Sequence, residues 1–217
     1  MPAVLRLYED TFGNDGAELA LPARPHMIYV VHGTIAIAGK IMRSDDGLGG
    51  EDATRIKGGL EGATIWRWEL AAESAADATR TGTSIASREK LAARLDMLPP
   101  GPLLLRGDSV AFPPGGCAYL HRHQGPGIRC LIEGGIRIDT HGRSTSYGPG
   151  SPWFESGPEP VFAQATDRPT RFIRTMILPM AYLARSSVEY LREEDKAKPK
   201  TQSYKVYADM PIAHADR

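Results

Sequence analysis

The chain has 217 residues and a mass of 23.6 kDa, enough for one large domain or two small fused ones, each with a real core. Lys plus Arg and Asp plus Glu both number 26, so the formal charge is zero. That excludes a general nucleic-acid binder, which needs a basic footprint, and a polybasic membrane-surface module. No apolar run approaches a bilayer span, and no basic segment leads an apolar one at the N-terminus. Two cysteines, Cys117 and Cys130, make no disulfide framework, so the expectation is a cytoplasmic protein with reduced thiols.

The 23 glycines and 17 prolines fall between short apolar runs, as turn punctuation in an all-β protein does. In chain order, a strand is predicted over 27–33 and a second over 34–38, with Gly33 as the bend between them. A polar loop over 43–50 follows, then an aromatic and β-branched strand over 63–70. Residues 71–97 are alanine-rich and helical in composition, which predicts a linker with one short helix, closed by Pro99 and Pro100. The β pattern then resumes. Strands are predicted over 103–105, 109–112, 118–123, 128–133, 135–140, 153–155, 161–165 and 170–178. The segment 181–217 is polar, and its strand-like 203–207 is expected to pack on the body or on a partner subunit.

There is an internal repeat. Residues 29–37 align without gaps on 130–138, the bend glycines Gly33 and Gly134 coincide, and Trp66-Arg67 falls opposite Ile173-Arg174 at a similar offset. Two β units of one design are the simplest explanation.

Chemistry concentrates in residues 115–123. His121 and His123 lie one residue apart on a predicted strand, so both imidazoles face one side and can converge on one ion. The stretch resembles the first signature of the cupin superfamily, G-x5-H-x-H-x3-E-x6-G. Gly115, His121, His123 and Gly134 fall at its positions, while Gly127 stands where the glutamate is expected. In the second signature, Pro160 stands at the histidine position. The resemblance covers residues 102–179 well and 20–70 weakly. The repeat offset puts Ala20 and Pro22 where the N-terminal half would need its two histidines.

The resemblance therefore implies an all-β bicupin of two jelly-roll barrel halves. The expected boundaries are a degenerate N-terminal half over 1–70, a helical linker over 71–101, a C-terminal barrel over 102–180 and a polar tail over 181–217. If the strand through Glu155 follows cupin geometry, Glu155 and Trp153 face the interior. His121, His123 and Glu155 would then form a two-histidine, one-carboxylate set for Fe, Mn, Ni or Zn. The other reading is that Glu155 pairs with an arginine and no metal binds. Arg129 is a fork for a substrate carboxylate or a partner for Glu155, and Tyr119 and Trp153 are candidate walls of the substrate site. His26, His32, His141 and His214 read as isolated surface or turn residues. Two functions follow. One is a metal-dependent cupin enzyme of dioxygenase, isomerase or lyase type acting on a small organic acid. The other is a non-catalytic small-ligand-binding cupin with no essential metal. No nucleic acid or membrane partner is expected, and a homodimer is.

Overall fold

A computed structural model describes residues 3–213, so His214 lies outside the described residues. Two compact units share the chain; the first comprises the chain up to Met97 together with the segment from Ile212, and the second spans Leu98–Pro211. Both are β structures, with one five-residue α-helix and one single-turn 3-10 helix among the described residues. No helix is long and apolar enough to cross a membrane.

The first unit is one eight-stranded sheet. Its strands are β1 (Ala3–Phe12), β2 (Glu18–Leu21), β3 (His26–Ile37), β4 (Lys40–Arg43), β5 (Gly47–Gly50), β6 (Thr54–Ala72), β7 (Thr79–Thr81) and β8 (Ile85–Leu95). The two strands predicted over 27–38 are one strand, β3, bent at Gly33. The predicted helix within 71–101 is not there. Ile85–Leu95 is instead a strand paired antiparallel along the whole of β1, from Ala3 opposite Leu95 to Phe12 opposite Ile85. Its helix-forming alanines, lysine and arginines yield to that pairing, because tertiary contacts outweigh intrinsic propensity. Leu19, Ile28, Val30, Ile35, Met42, Ile56 and Ile65 fill the core of this unit.

The second unit is two five-stranded sheets. Its strands are β9 (Leu103–Phe112), β10 (Cys117–His123), β11 (Gly127–Glu133), β12 (Ile136–Thr140), β13 (Arg143–Tyr147), β14 (Pro152–Glu155), β15 (Val161–Ala165), β16 (Thr170–Pro179), β17 (Val188–Tyr190) and β18 (Ser203–Ile212). One sheet runs β13-β12-β15-β10-β17, the other β14-β11-β16-β9-β18. The separate strands predicted over 103–105 and 109–112 are the two ends of β9. The tail is part of the fold: it contributes an edge strand to each sheet, β17 and β18, with α1 (Glu193–Ala197) between them. Val110, Phe112, Leu131, Ile138, Trp153 and Phe172 form the core of this unit.

Each unit carries the same pairing plan. On β3, Ile28 lies opposite Arg67 and Leu48; on β11, Arg129 lies opposite Arg174 and Trp153. His26 lies opposite Glu69 and Gly50, and Gly127 opposite Met176 and Glu155. The bend glycines match in conformation too, with φ of +79° at Gly33 and +78° at Gly134. A Cβ there would meet the Gly62 carbonyl oxygen at 2.2 Å or the Pro169 carbonyl oxygen at 2.3 Å. Only glycine fits both demands, a left-handed backbone and an adjacent strand at contact distance.

Candidate functional site

The interior of the second unit holds a buried polar cluster. His121 and His123 come from β10, Arg129 from β11, and Trp153 and Glu155 from β14. All five are buried, Arg129 to 1% exposure. Alternation along each strand puts them on one side, as the sequence predicts for the two histidines, Arg129 and Glu155. The His121 and His123 Nε2 atoms are 3.3 Å apart, and His123 Nε2 lies 3.2 Å from Glu155 Oε2. Arg129 Nη2 pairs with the same Oε2 at 2.8 Å, and Trp153 Nε1 donates to Oε1 at 2.8 Å. Arg129 Nη1 also donates to the Gly127 carbonyl at 2.7 Å.

Tyr119 is not part of this cluster. A β-bulge between Ala118 and His121 breaks the alternation that would have placed it there. Ala118 turns inward and packs in the core, while the Tyr119 ring faces the tail, with Lys198 Nζ 4.7 Å from its centroid. Cys117 is half-buried and Cys130 fully buried; neither is in a disulfide. Trp153 is interior but committed: it stacks on Tyr147 at 4.8 Å, meets Phe172 edge-on at 5.2 Å, and spends its N–H on Glu155.

The electrostatics follow from burial. Burial pushes His123 down to about 3, against the raising influence of Glu155, and lowers His121 as well. Both imidazoles are therefore neutral at pH 7. Burial raises the Glu155 carboxyl, but Arg129, then His123 and Trp153, outweigh it and hold the group well below the usual carboxylate range. Arg129 is pulled down to about 10 by burial, with Glu155 opposing. It remains charged, so the cluster is one cation, one anion and two neutral rings.

The fit to a metal ion is good at His121, poorer at His123 and blocked at Glu155 by Arg129. His121 suits ligation: its Nδ1 lies 2.6 Å from the Tyr119 carbonyl, which fixes the proton on Nδ1 and leaves Nε2 as a lone pair. His123 suits it less well. Its Nδ1 is buried with no protein partner, where a ligating histidine needs an acceptor for that N–H. The more economical tautomer carries the proton on Nε2, facing Glu155 Oε2. Glu155 has its charge answered by the Arg129 ion pair and its Oε1 held by Trp153, while its buried Oε2 accepts no hydrogen bond. Among the described residues no group of three or more His, Cys, Asp or Glu side chains is arranged to hold a metal ion.

Space is tight as well. The cavity beside the cluster measures about 20 Å³. A single water needs ~10–15 Å³, so the space beside the cluster has room for about one water. The larger space, about 380 Å³, lies at the mouth of the same interior and corresponds to no motif in the sequence. Arg174, Val188, Gln202 and Tyr204 line both. Arg106 and Asp108 belong to this mouth. They sit at the inward positions of β9, in register with Leu104, Val110 and Phe112. Two charges at alternate positions inside an apolar strand are the signal that the sequence offers for it. Arg174 is buried and bidentate on Asp108, at 2.6 and 2.9 Å. Asp108 outweighs burial and raises Arg174. Arg106 is bidentate on Asp209 and donates to the Tyr182 and Arg185 carbonyls, which ties the tail to β9.

The first unit has no such cluster among its described residues. The positions of Arg129, Trp153 and Glu155 are taken by Ile28, Leu48 and Gly50 in the shared plan. His26 stands at the Gly127 position. Expected at the surface, it is 3% exposed, its Nδ1 against the Arg24 carbonyl and its ring against Gly50. The buried charges of this unit, Arg67 with Asp10 and Glu69, and Arg24 with Glu69, pair with one another.

No known family model matches the chain, and no curated protein matches it. Solved structures do. An oxalate decarboxylase from Lactobacillus farciminis, in complex with formate, is 11% identical with a TM-score of 0.65, over 89% of this chain and 82% of that one. A mutant oxalate decarboxylase of Bacillus subtilis is 12% identical with a TM-score of 0.60, over 92% and 80%. The coconut allergen cocosin is 9% identical with a TM-score of 0.60, over 79% and 76%. The chain has the all-β cupin jelly-roll fold. Identity this low carries the architecture and no activity. The range of these neighbours, enzyme and allergen, makes the same point.

Proposed function

We propose that the second unit is a small-ligand-binding cupin domain that works without an essential metal, and that the first is a degenerate cupin half. One observation carries the reading: Arg129 stands 2.8 Å from Glu155 Oε2 and supplies the counter-charge that a metal would otherwise supply. The cluster is then a buried ion pair with no net charge, flanked by two neutral imidazoles, beneath the ligand space. Its ligand is a small carboxylate, held in the mouth, where cations outnumber carboxylates. Support for the degenerate half is the shared pairing plan, with Ile28, Leu48 and Gly50 in place of the polar residues.

A second reading, a metal-dependent cupin enzyme acting on a small organic acid, is favoured by the 3.3 Å between the two histidine Nε2 atoms. Two atoms that share an ion stand at such a distance. It requires Arg129 to leave Glu155. Mn(II) centres are described for a Bacillus subtilis oxalate decarboxylase that is 12% identical to this chain.

Thermal unfolding of chelator-treated protein against a panel of small carboxylates separates the two. The first reading predicts that at least one acid raises Tm and that added Mn, Fe, Ni or Zn does not, because only a bound ligand shifts the equilibrium. Stabilisation by metal alone, with no response to acids before metal is restored, would overturn it.

A further inference from the structure

The mouth of the second unit is built for one kind of ligand. Its volume of about 380 Å³ lies in the range of small-molecule sites, ~300–1,000 Å³. The β-sandwich supplies Arg106, Asp108 and Arg174, and the tail supplies the rest, Ala184 to Asp209. We propose that this mouth binds an amphipathic carboxylic acid, with the carboxylate toward Lys200 and Arg174 and the apolar body against Tyr204 and Val206. The inference rests on the small-ligand reading above and names its ligand class and the residues that select it.

Charge decides the sign of the ligand. Two of the four cations lining the space are matched: Arg106 by Asp209 and Arg174 by Asp108. Lys200 and Arg185 have no cavity carboxylate to match them. The Lys200 Nζ donates to the carbonyls of Asp195, Lys196 and Lys198 and lies over the Tyr190 and Tyr119 rings, at 4.1 and 5.3 Å. None of these neighbouring groups carries a full negative charge. Arg174 spends Nε and Nη2 on Asp108, so Nη1 is the nitrogen that the carboxylate does not engage. An anion in this space therefore meets an excess of positive charge.

Shape and polarity decide the rest. Apolar atoms make up most of the wall's surface, and Val188, Tyr190, Tyr204 and Val206 are among the residues that supply them. Tyr204 and Val206 are 49% and 56% exposed, large apolar side chains left partly in water at the rim of a cavity. At the inner end, Gln202 Nε2 donates to the Tyr190 hydroxyl at 3.0 Å, while its Oε1 is buried with no protein partner. A buried acceptor of this kind is satisfied by a donor on the ligand or by a water. An aromatic hydroxy acid carries all three features: an anion, an apolar body and a hydroxyl.

The probe pair is para-hydroxyphenylacetate and its amide, which differ in charge and little in shape. Titration by calorimetry, with amide shifts followed by nuclear magnetic resonance, should show the acid binding and moving residues 188–190 and 200–206. The amide should bind at least about tenfold more weakly, the scale of a lost charged hydrogen bond. Lys200→Met should weaken the acid by a similar factor and leave the amide unchanged. Val206→Trp, on an exposed rim position that tolerates a larger side chain, should fill the space and abolish binding while the rest of the spectrum stays native. Equal affinity for acid and amide, or acid binding unaffected by both variants, would overturn the proposal, as would no binding of either probe. Metal content of the same samples is measured separately. A stoichiometric ion would count against the metal-free reading, and binding that still depended on Lys200 would leave the mouth site standing.

Discussion

Glu155→Gln is the most informative single change. The amide keeps the shape of the side chain and keeps an oxygen to accept from Trp153 Nε1. It removes the carboxylate that pairs with Arg129, whose guanidinium is 2.8 Å from Glu155 Oε2 at 1% exposure. With charge centres ~4 Å apart and an effective dielectric of ~20, the lost attraction is ~4 kcal/mol. Removing one member of a buried pair costs ~3–5 kcal/mol by comparison with measured cases, because the other charge stays buried and unanswered. His123, being neutral, offsets none of it. The assay is hydrogen exchange resolved on β11, β14 and β16, which reads the opening free energy of this unit alone. Protection there should fall by about two to four powers of ten, at ~1.4 kcal/mol for each. The loss should be the same with and without chelator, since the partner removed is an arginine's and not a metal's. A loss below ~1 kcal/mol, the scale of a surface pair, would refute the reasoning. So would a loss that appears only when metal is supplied.

Arg129→Met leaves Glu155 as the uncompensated member, so it should destabilise the unit by a similar ~3–5 kcal/mol; urea unfolding in chelator checks this. The freed carboxylate beside two neutral imidazoles should then take up Zn or Mn and recover stability, which the parent protein should not. Acid should destabilise the protein earlier than carboxylate titration alone would. His123 binds its proton only near pH 3 when folded but near 6.5 when unfolded, so the unfolded state holds more protons between those values. Stability is fully present above pH 6.5 and falls as pH drops toward 3, by ~1.4 kcal/mol per pH unit for each such histidine. His121 and His26, also lowered by burial, add in the same direction, as does Glu155 below its ordinary range. A urea-midpoint profile flat from pH 7 to 5 would contradict this. Gly33→Ala and Gly134→Ala should each cost well beyond the ~1–2 kcal/mol of a left-handed alanine, because each Cβ also strikes a backbone oxygen. Gly39→Ala, at φ +78° with nothing within 4 Å, should cost only that conformational part, and equal losses at all three sites would refute the distinction.

The parts of this fold legible in the sequence are those fixed by local rules. Gly33 and Gly134 announce the repeat because backbone geometry there admits no other residue. The inward face of His121, His123, Arg129 and Glu155 follows from simple alternation. Tyr119 fails on the same rule, because a bulge adds one residue between Ala118 and His121 and composition gives no sign of it. Residues 85–95 fail for a different reason. An edge strand is polar along its exposed side, and Ala, Arg, Glu, Lys and Leu in that setting carry the composition of an amphipathic helix. What decides is β1 lying alongside. Even the pairing nearest in sequence, Phe12 opposite Ile85, spans most of the first unit, and no local window contains it. The mouth is illegible for that reason too. Lys200, Gln202 and Tyr204 meet Arg106 and Arg174 only once the tail has added β17 and β18 to the sheets. His26 reads as an isolated histidine until the shared pairing plan places it at the Gly127 position.

The proposed function requires that Arg129, and not a metal, answers Glu155. Elemental analysis of the purified protein tests it most directly, after production in medium supplemented with Mn, Fe, Ni and Zn and without chelator at any step. Substoichiometric metal is expected in the parent protein, with an increase in Arg129→Met. One equivalent of a transition metal per chain in the parent, lost in His121→Ala or His123→Ala, would contradict it.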